Sequence, residues 1–133
     1  MAVGEEGRPG VRAKIKWPVE ITTPQGSSEG VTLELGTDGA FVRCAKPLKL
    51  NKIFDMVISA PGQPITARAE VVWSNIYGPD DDITPRGMGV RFLSIASDHR
   101  KIIAKEALEY LQSEKTDPSE LEFLHSIVME EES

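Results

Sequence analysis

Apolar and polar residues alternate through the first two thirds of the chain, and the apolar ones then recur at helical spacing. Ala13, Ile15, Trp17, Val19 and Ile21 are apolar, with Lys14, Lys16 and Glu20 between them. A period of two sustained from 13 to 21 predicts a half-buried strand. Pro18 falls on the other face and donates no hydrogen bond, which marks an edge or a bulge. Residues 23–28 carry turn chemistry. Val31, Leu33 and Leu35 alternate again. Gly36-Thr37-Asp38-Gly39 predicts a tight turn with glycine where positive φ is needed. Further strands are predicted over 40–44, at Phe54, Met56 and Ile58, from Ile65 through Ala67, Ala69 and Val71 to Trp73, and at Met88, Val90 and Phe92. A Pro47 loop, the Pro61-Gly62-Gln63-Pro64 turn and a long polar loop over 75–86 separate them. Short strands at this spacing argue for a six-stranded antiparallel barrel or a sandwich. A barrel removes the open edges of so small a sheet.

The period then changes. Ser97 or Asp98 can cap a helix in which Ile102, Ile103, Ala107, Leu108 and Leu111 line one face as far as Gln112. Asp117-Pro118-Ser119-Glu120 starts a second helix, with a capping Asp, Pro at the first helical position and Glu at the third. Leu121, Leu124, Ile127 and Val128 form its stripe. The expected organisation has three parts. Residues 1–12, with Gly4, Gly7, Gly10 and Pro9, form a flexible arm; 13–112 form the barrel and its helix; 113–133 form a helical appendage.

Charge sharpens this division. The chain has 133 residues, enough for one domain, and a net charge of −6. Residues 113–133 hold seven acids and one base, so the whole excess lies in the appendage and the body is neutral. That argues against a generally basic binder of nucleic acid polymers. A basic stretch of Arg8, Arg12, Lys14 and Lys16 lies near Trp17, but Trp17 falls on the apolar face of its strand, as a core residue rather than a stacking platform. The single cysteine, Cys44, excludes an internal disulfide and multi-cysteine metal sites. No apolar run suffices for membrane insertion, and the N-terminus lacks the basic and apolar regions of a signal peptide, so a cytoplasmic protein is expected.

Catalytic chemistry is sparse. His99 and His125 lie on helices without a local nucleophile or acid partner, and Cys44 follows the core pattern. Asp80-Asp81-Asp82 lacks the ligand spacing of a calcium loop and reads as a solvated loop. Gly87-Met88-Gly89 precedes no helix at the distance a dinucleotide fingerprint requires. The expectation is a non-enzymatic chain with no metal and no cofactor.

The arm is more informative. Arg8 and Arg12 stand four residues apart. Guanidinium forks fit phosphate bidentately and also fit the O6/N7 edge of guanine. Solvated charge near a terminus is the plainer reading of the same spacing.

Together these features resemble the PilZ domain, a bacterial cyclic di-GMP receptor module, over about residues 8–112. That family pairs an R-x-x-x-R arm with [D/N]-x-S-x-x-G on a strand turn, on a six-stranded antiparallel barrel followed by a C-terminal helix. Gly87-Met88-Gly89-Val90-Arg91-Phe92 is similar to the family's last strand. The resemblance implies that Arg8 and Arg12 bind the ligand's guanine faces and phosphates. In the second motif Glu34 takes the Asp/Asn position, Gly36 the Ser position, and Gly39 is retained. Glu34 can accept from guanine N1–H and N2–H, Gly36 offers no hydroxyl, and Thr37 should point elsewhere. Asp38 adds a negative charge that would cost about 1 kcal/mol near a phosphate.

Two functions follow from the resemblance. One is a cytoplasmic second-messenger effector whose arm closes over cyclic di-GMP at Arg8, Arg12, Glu34, Gly36 and Gly39. The other is a protein-interaction adaptor on the same fold that has lost the nucleotide. In either case a protein partner is expected, with a homodimer through the C-terminal helices as a further option. The acidic appendage is also a candidate competitor for the two arginines.

Overall fold

The computed structural model describes residues 12–76, 78, 80–81, 85–112 and 118–130. Its strands are β1 (Arg12–Ala13), β2 (Pro18–Thr23), β3 (Gly26–Gly36), β4 (Gly39–Cys44), β5 (Ile53–Ala60), β6 (Gln63–Asn75) and β7 (Gly87–Ile95). Two helices follow, α1 (Ser97–Gln112) and α2 (Pro118–Glu130). The strands pair antiparallel in the order β3-β2-β5-β6-β7-β4, and β4 returns to β3, closing a six-stranded barrel. The seventh strand, β1, hangs on the end of β3, with Arg12 opposite Gly36 and Ala13 opposite Leu35.

The strand expected over 13–21 is therefore split in two, and the cause is Thr32. This buried side chain accepts the Trp17 N–H at 2.8 Å and donates to the Ile15 carbonyl at 2.6 Å. A β3 side chain thus takes the place of a ladder bond in the stretch of chain that separates β1 from β2. The alternation survives the break: Ala13, Ile15, Val19 and Ile21 are all buried, and Trp17 packs against the core.

The register shifts at three other points, once between β3 and β4 and twice between β6 and β7, and two of these shifts change the expected pattern. In β3 the pairing steps from Thr32–Val42 to Glu34–Phe41, leaving Leu33 as the extra residue. Thr32 and Leu35, not Leu33 and Leu35, consequently face inward. In β6 the pairing steps from Val71–Val90 to Trp73–Gly89, with Val72 extra. This turns Trp73 out of the barrel, to 46% exposure, where strict alternation places it inside.

Leu35, Ala40, Val42, Met56, Ile58, Ile65, Val71 and Val90 fill the barrel. Helix α1 packs against β1 and β3, and its Ile103, Ala104 and Ala107 are fully buried in the same core. Helix α2 lies on α1 with Leu124 and Ile127 buried, so its stripe is covered within one chain. Among the described residues no helix is long and apolar enough to cross a membrane.

Candidate functional site at the β3–β4 turn

The pairing of the strands decides which side chains share the barrel's outer face. Leu35 points inward, so its neighbours Glu34 and Gly36 belong to the outer face, and Arg12 joins them through its pairing with Gly36. Across the turn, Gly39 pairs with Arg91, and Arg91 with Glu70. Arg12, Gly36, Gly39, Arg91 and Glu70 thus form one outward row over β1, β3, β4, β7 and β6. A second row runs through Glu34, Phe41, Gly89 and Trp73. Two residues of strand rise separate the rows by about 7 Å.

In the first row the Arg12 guanidinium lies against Gly39. A Cβ added at Gly39 would sit 2.7 Å from Arg12 Nη2 and would run into the Val90 carbonyl oxygen. Gly39 is therefore required for close approach. The described glycines at positive φ are Gly26 (132°) and Gly62 (94°), so the positive φ expected at the Gly39 turn is absent. Gly36 is the strand partner of Arg12.

Asp38 supplies the charge opposite Arg12, with Oδ1 3.7 Å from Nε. At that distance the pair is ionic but not hydrogen bonded. Both atoms are buried, and neither has a hydrogen-bond partner among the described residues. Thr37 is also buried, and its Oγ1 is equally without a partner. A desolvated polar atom left unpaired costs about 1–3 kcal/mol. Three such atoms gather at and beside this one turn.

The second row carries aromatic surface. The Phe41 and Trp73 ring centroids lie 5.6 Å apart at 51°, flanking Gly89 on either side. Glu34 is exposed and directly opposite Phe41. In the first row Arg91 is held by Glu70, whose Oε1 accepts from Nη2 at 2.7 Å and from Nε at 2.8 Å.

The structure brings together four of the five residues expected at the site: Arg12, Glu34, Gly36 and Gly39. Arg8 lies outside the described residues. Phe41, Trp73 and Arg91 join the same face unannounced. For Trp73 the period-two pattern pointed the wrong way. For Arg91, its place opposite Gly39 emerges only from the strand pairing.

Other candidates have structural roles. Cys44 is buried, and burial pushes its thiol up to about 11, which leaves it protonated and unreactive at neutral pH. His99 Nδ1 accepts the Thr66 N–H at 3.2 Å, tying α1 to β6. Asp80, expected in a solvated loop, accepts the Arg86 N–H at 2.8 Å and Arg43 Nη2 at 3.0 Å. Among the described residues no cluster of three or more His, Cys, Asp or Glu could hold a metal ion.

The fold is a closed six-stranded barrel with the Arg12 guanidinium beside Gly39 on its outer face and a helix packed against β1 and β3. Residues 6–108 match the PilZ domain, and the chain belongs to that family. The solved structure of the Bacillus subtilis inhibitor of motility (MotI/DgrA) is similar at a TM-score of 0.66 and 16% identity. The match covers 80% of this chain but 52% of that one, so this chain spans about half its length. The PilZ domain of CeSA from a cellulose-synthesizing bacterium matches at 18% identity over 92% of this chain and 98% of that one, with a TM-score of 0.43. No curated protein matches the chain.

Proposed function

We propose that this PilZ domain is a non-enzymatic receptor for cyclic di-GMP, and that Arg12, with Arg8 on the preceding arm, closes over the nucleotide beside the β3–β4 turn. The observation that carries this reading is the Arg12 guanidinium, placed against Gly39 with its Nε buried and without a hydrogen-bond partner among the described residues. A phosphate oxygen is the acceptor such a fork fits best. The neighbouring row suits the base. Phe41 and Trp73 offer an aromatic surface for stacking. Glu34, beside Phe41, offers a carboxylate to the N1–H and N2–H edge of guanine. Gly36, the strand partner of Arg12, adds no side chain to this arrangement. Membership of a cyclic di-GMP receptor family supports the choice of nucleotide.

Calorimetric titration with cyclic di-GMP tests this. Saturable heat in the parent, and at least tenfold weaker binding in Arg12→Ala, are expected. No heat with either protein would overturn it.

One observation favours an adaptor role. Leu50, Val72 and Trp73 are about half exposed and line a groove of about 630 Å³ with Lys49, Asn75 and Ile76. If the chain works through a protein partner alone, Leu50→Asp abolishes partner capture while the parent stays silent to the nucleotide. Measurable nucleotide binding by the parent would exclude that version.

A further inference from the structure

We propose that Asp38 is a tethered competitor for the nucleotide phosphate: its carboxylate holds the Arg12 guanidinium until a phosphate oxygen takes its place. The inference rests on the reading above, that this site receives a phosphate-bearing nucleotide.

The backbones on both sides of the contact are fixed. Arg12 is paired with Gly36 in the sheet. The Asp38 carbonyl accepts the Phe92 N–H at 2.8 Å, which pins the turn to β7. Only the two side chains are free to change partners. Their contact is a poor one, because Nε and Oδ1 stand 3.7 Å apart, both buried and neither hydrogen bonded among the described residues. A phosphate can replace it with two parallel N–H···O bonds at about 2.7–2.9 Å. Asp38 nevertheless holds an advantage, since a carboxylate on the same chain is present at a high effective concentration. It also opposes the incoming anion, because two negative charges cannot share one guanidinium without repulsion. The competitor expected in the acidic appendage therefore has a nearer counterpart within the turn itself.

The opposite role would be positioning, in which Asp38 aims Arg12 at the ligand. The two roles differ in the sign of one measurement. Asp38→Asn keeps the size of the side chain and removes its charge; Asp38→Ala also removes the oxygen. Competition predicts that both variants bind cyclic di-GMP about three- to tenfold more tightly than the parent, the scale of a partly exposed ion pair plus one removed repulsion. It also predicts that adding Arg12→Ala to either variant abolishes the gain. Equal or weaker binding by both folded variants would overturn the proposal.

Inorganic pyrophosphate separates this inference from the nucleotide reading. If cyclic di-GMP binds to neither parent nor variant, tighter pyrophosphate binding by Asp38→Asn, with a shift of the Arg12 Nε–H resonance, upholds the competitor and removes the nucleotide. Pyrophosphate binding that is absent or unchanged in the variant overturns the competitor as well.

Discussion

Two Asp–Arg contacts on this barrel differ in how completely their polar atoms are hydrogen bonded, and the proposed exchange rests on that difference. In the β6–β7 loop, Asp80 accepts both Arg43 Nη2 and the Arg86 N–H. Arg86 in turn donates to the Ile76 and Gly78 carbonyls, and Asn75 ties Gly78 to Pro85. Each of these contacts satisfies a donor and an acceptor. At the β3–β4 turn the same residue types meet, yet Arg12 Nε, Asp38 Oδ1 and Thr37 Oγ1 are buried without partners among the described residues. A group already hydrogen bonded, like the exposed Asp80 carboxylate, has little to gain from a ligand. A buried group left unpaired recovers its desolvation cost when one arrives. The first contact holds a loop together, and the binding proposed at the second rests on its atoms lacking hydrogen-bond partners.

The largest expected effect tests whether the turn also serves the fold. Gly39→Val drives a side chain into the Val90 carbonyl and Arg12 Nη2. It should destabilise the protein by about 3 kcal/mol or more, read by thermal or chemical denaturation. A melting curve matching the parent's would show that the turn can yield. Arg12→Ala should weaken cyclic di-GMP binding about 10- to 100-fold, as expected for lost charge-assisted hydrogen bonds. Its cost in stability should stay under about 1 kcal/mol, since the pair it breaks is a partly exposed one. Arg86→Ala should do the reverse. It removes the donors to two loop carbonyls, costs about 1–2 kcal/mol, and leaves nucleotide affinity unchanged. If Arg86→Ala weakened binding as much as Arg12→Ala, the distinction between the two contacts would collapse.

The smallest effect is a pH dependence. The Asp80 carboxyl lies below its ordinary value of 3.8, first because it accepts the Arg86 N–H, with Arg43 and Arg86 nearby as positive charges. A lowered folded value means that the contact stabilises the loop fully above about pH 4 and is lost as the pH falls through the folded value. The Arg86 amide resonance should hold its position from neutral pH to about pH 4 and move below it. Movement centred near neutrality would contradict the assignment.

Much of the barrel was legible because period two is a direct consequence of a strand with one buried face. Ile65, Ala67, Ala69 and Val71 all lie inside as their spacing requires. The failures begin at the bulges. An extra residue at Leu33 or Val72 leaves composition untouched and inverts the phase beyond it, which is why Trp73 emerges on the outside. The tight turn at Gly39 was legible too, but its reason was not: the glycine answers to crowding from Val90 and Arg12, and crowding belongs to the packed barrel. The spacing of Arg8 and Arg12 alone reads as solvated charge, and it is the family resemblance that singles out Arg12. That Asp38 is its partner depends on the pairing of β1 with β3, which two residues of strand could not announce. The appendage shows the same limit. Deleting 113–133 to test its charge would also strip Leu124 and Ile127 from α1, so charge-neutralising substitutions are the cleaner approach.

The most direct test of the central claim is the side-chain Nε–H resonance of Arg12, followed as cyclic di-GMP is added to the parent protein. A saturable shift at Arg12 is predicted, with Arg86 Nε–H unmoved and the same dissociation constant by calorimetry. An Arg12 resonance that stays in place while the nucleotide binds, or a nucleotide that does not bind at all, would contradict the account.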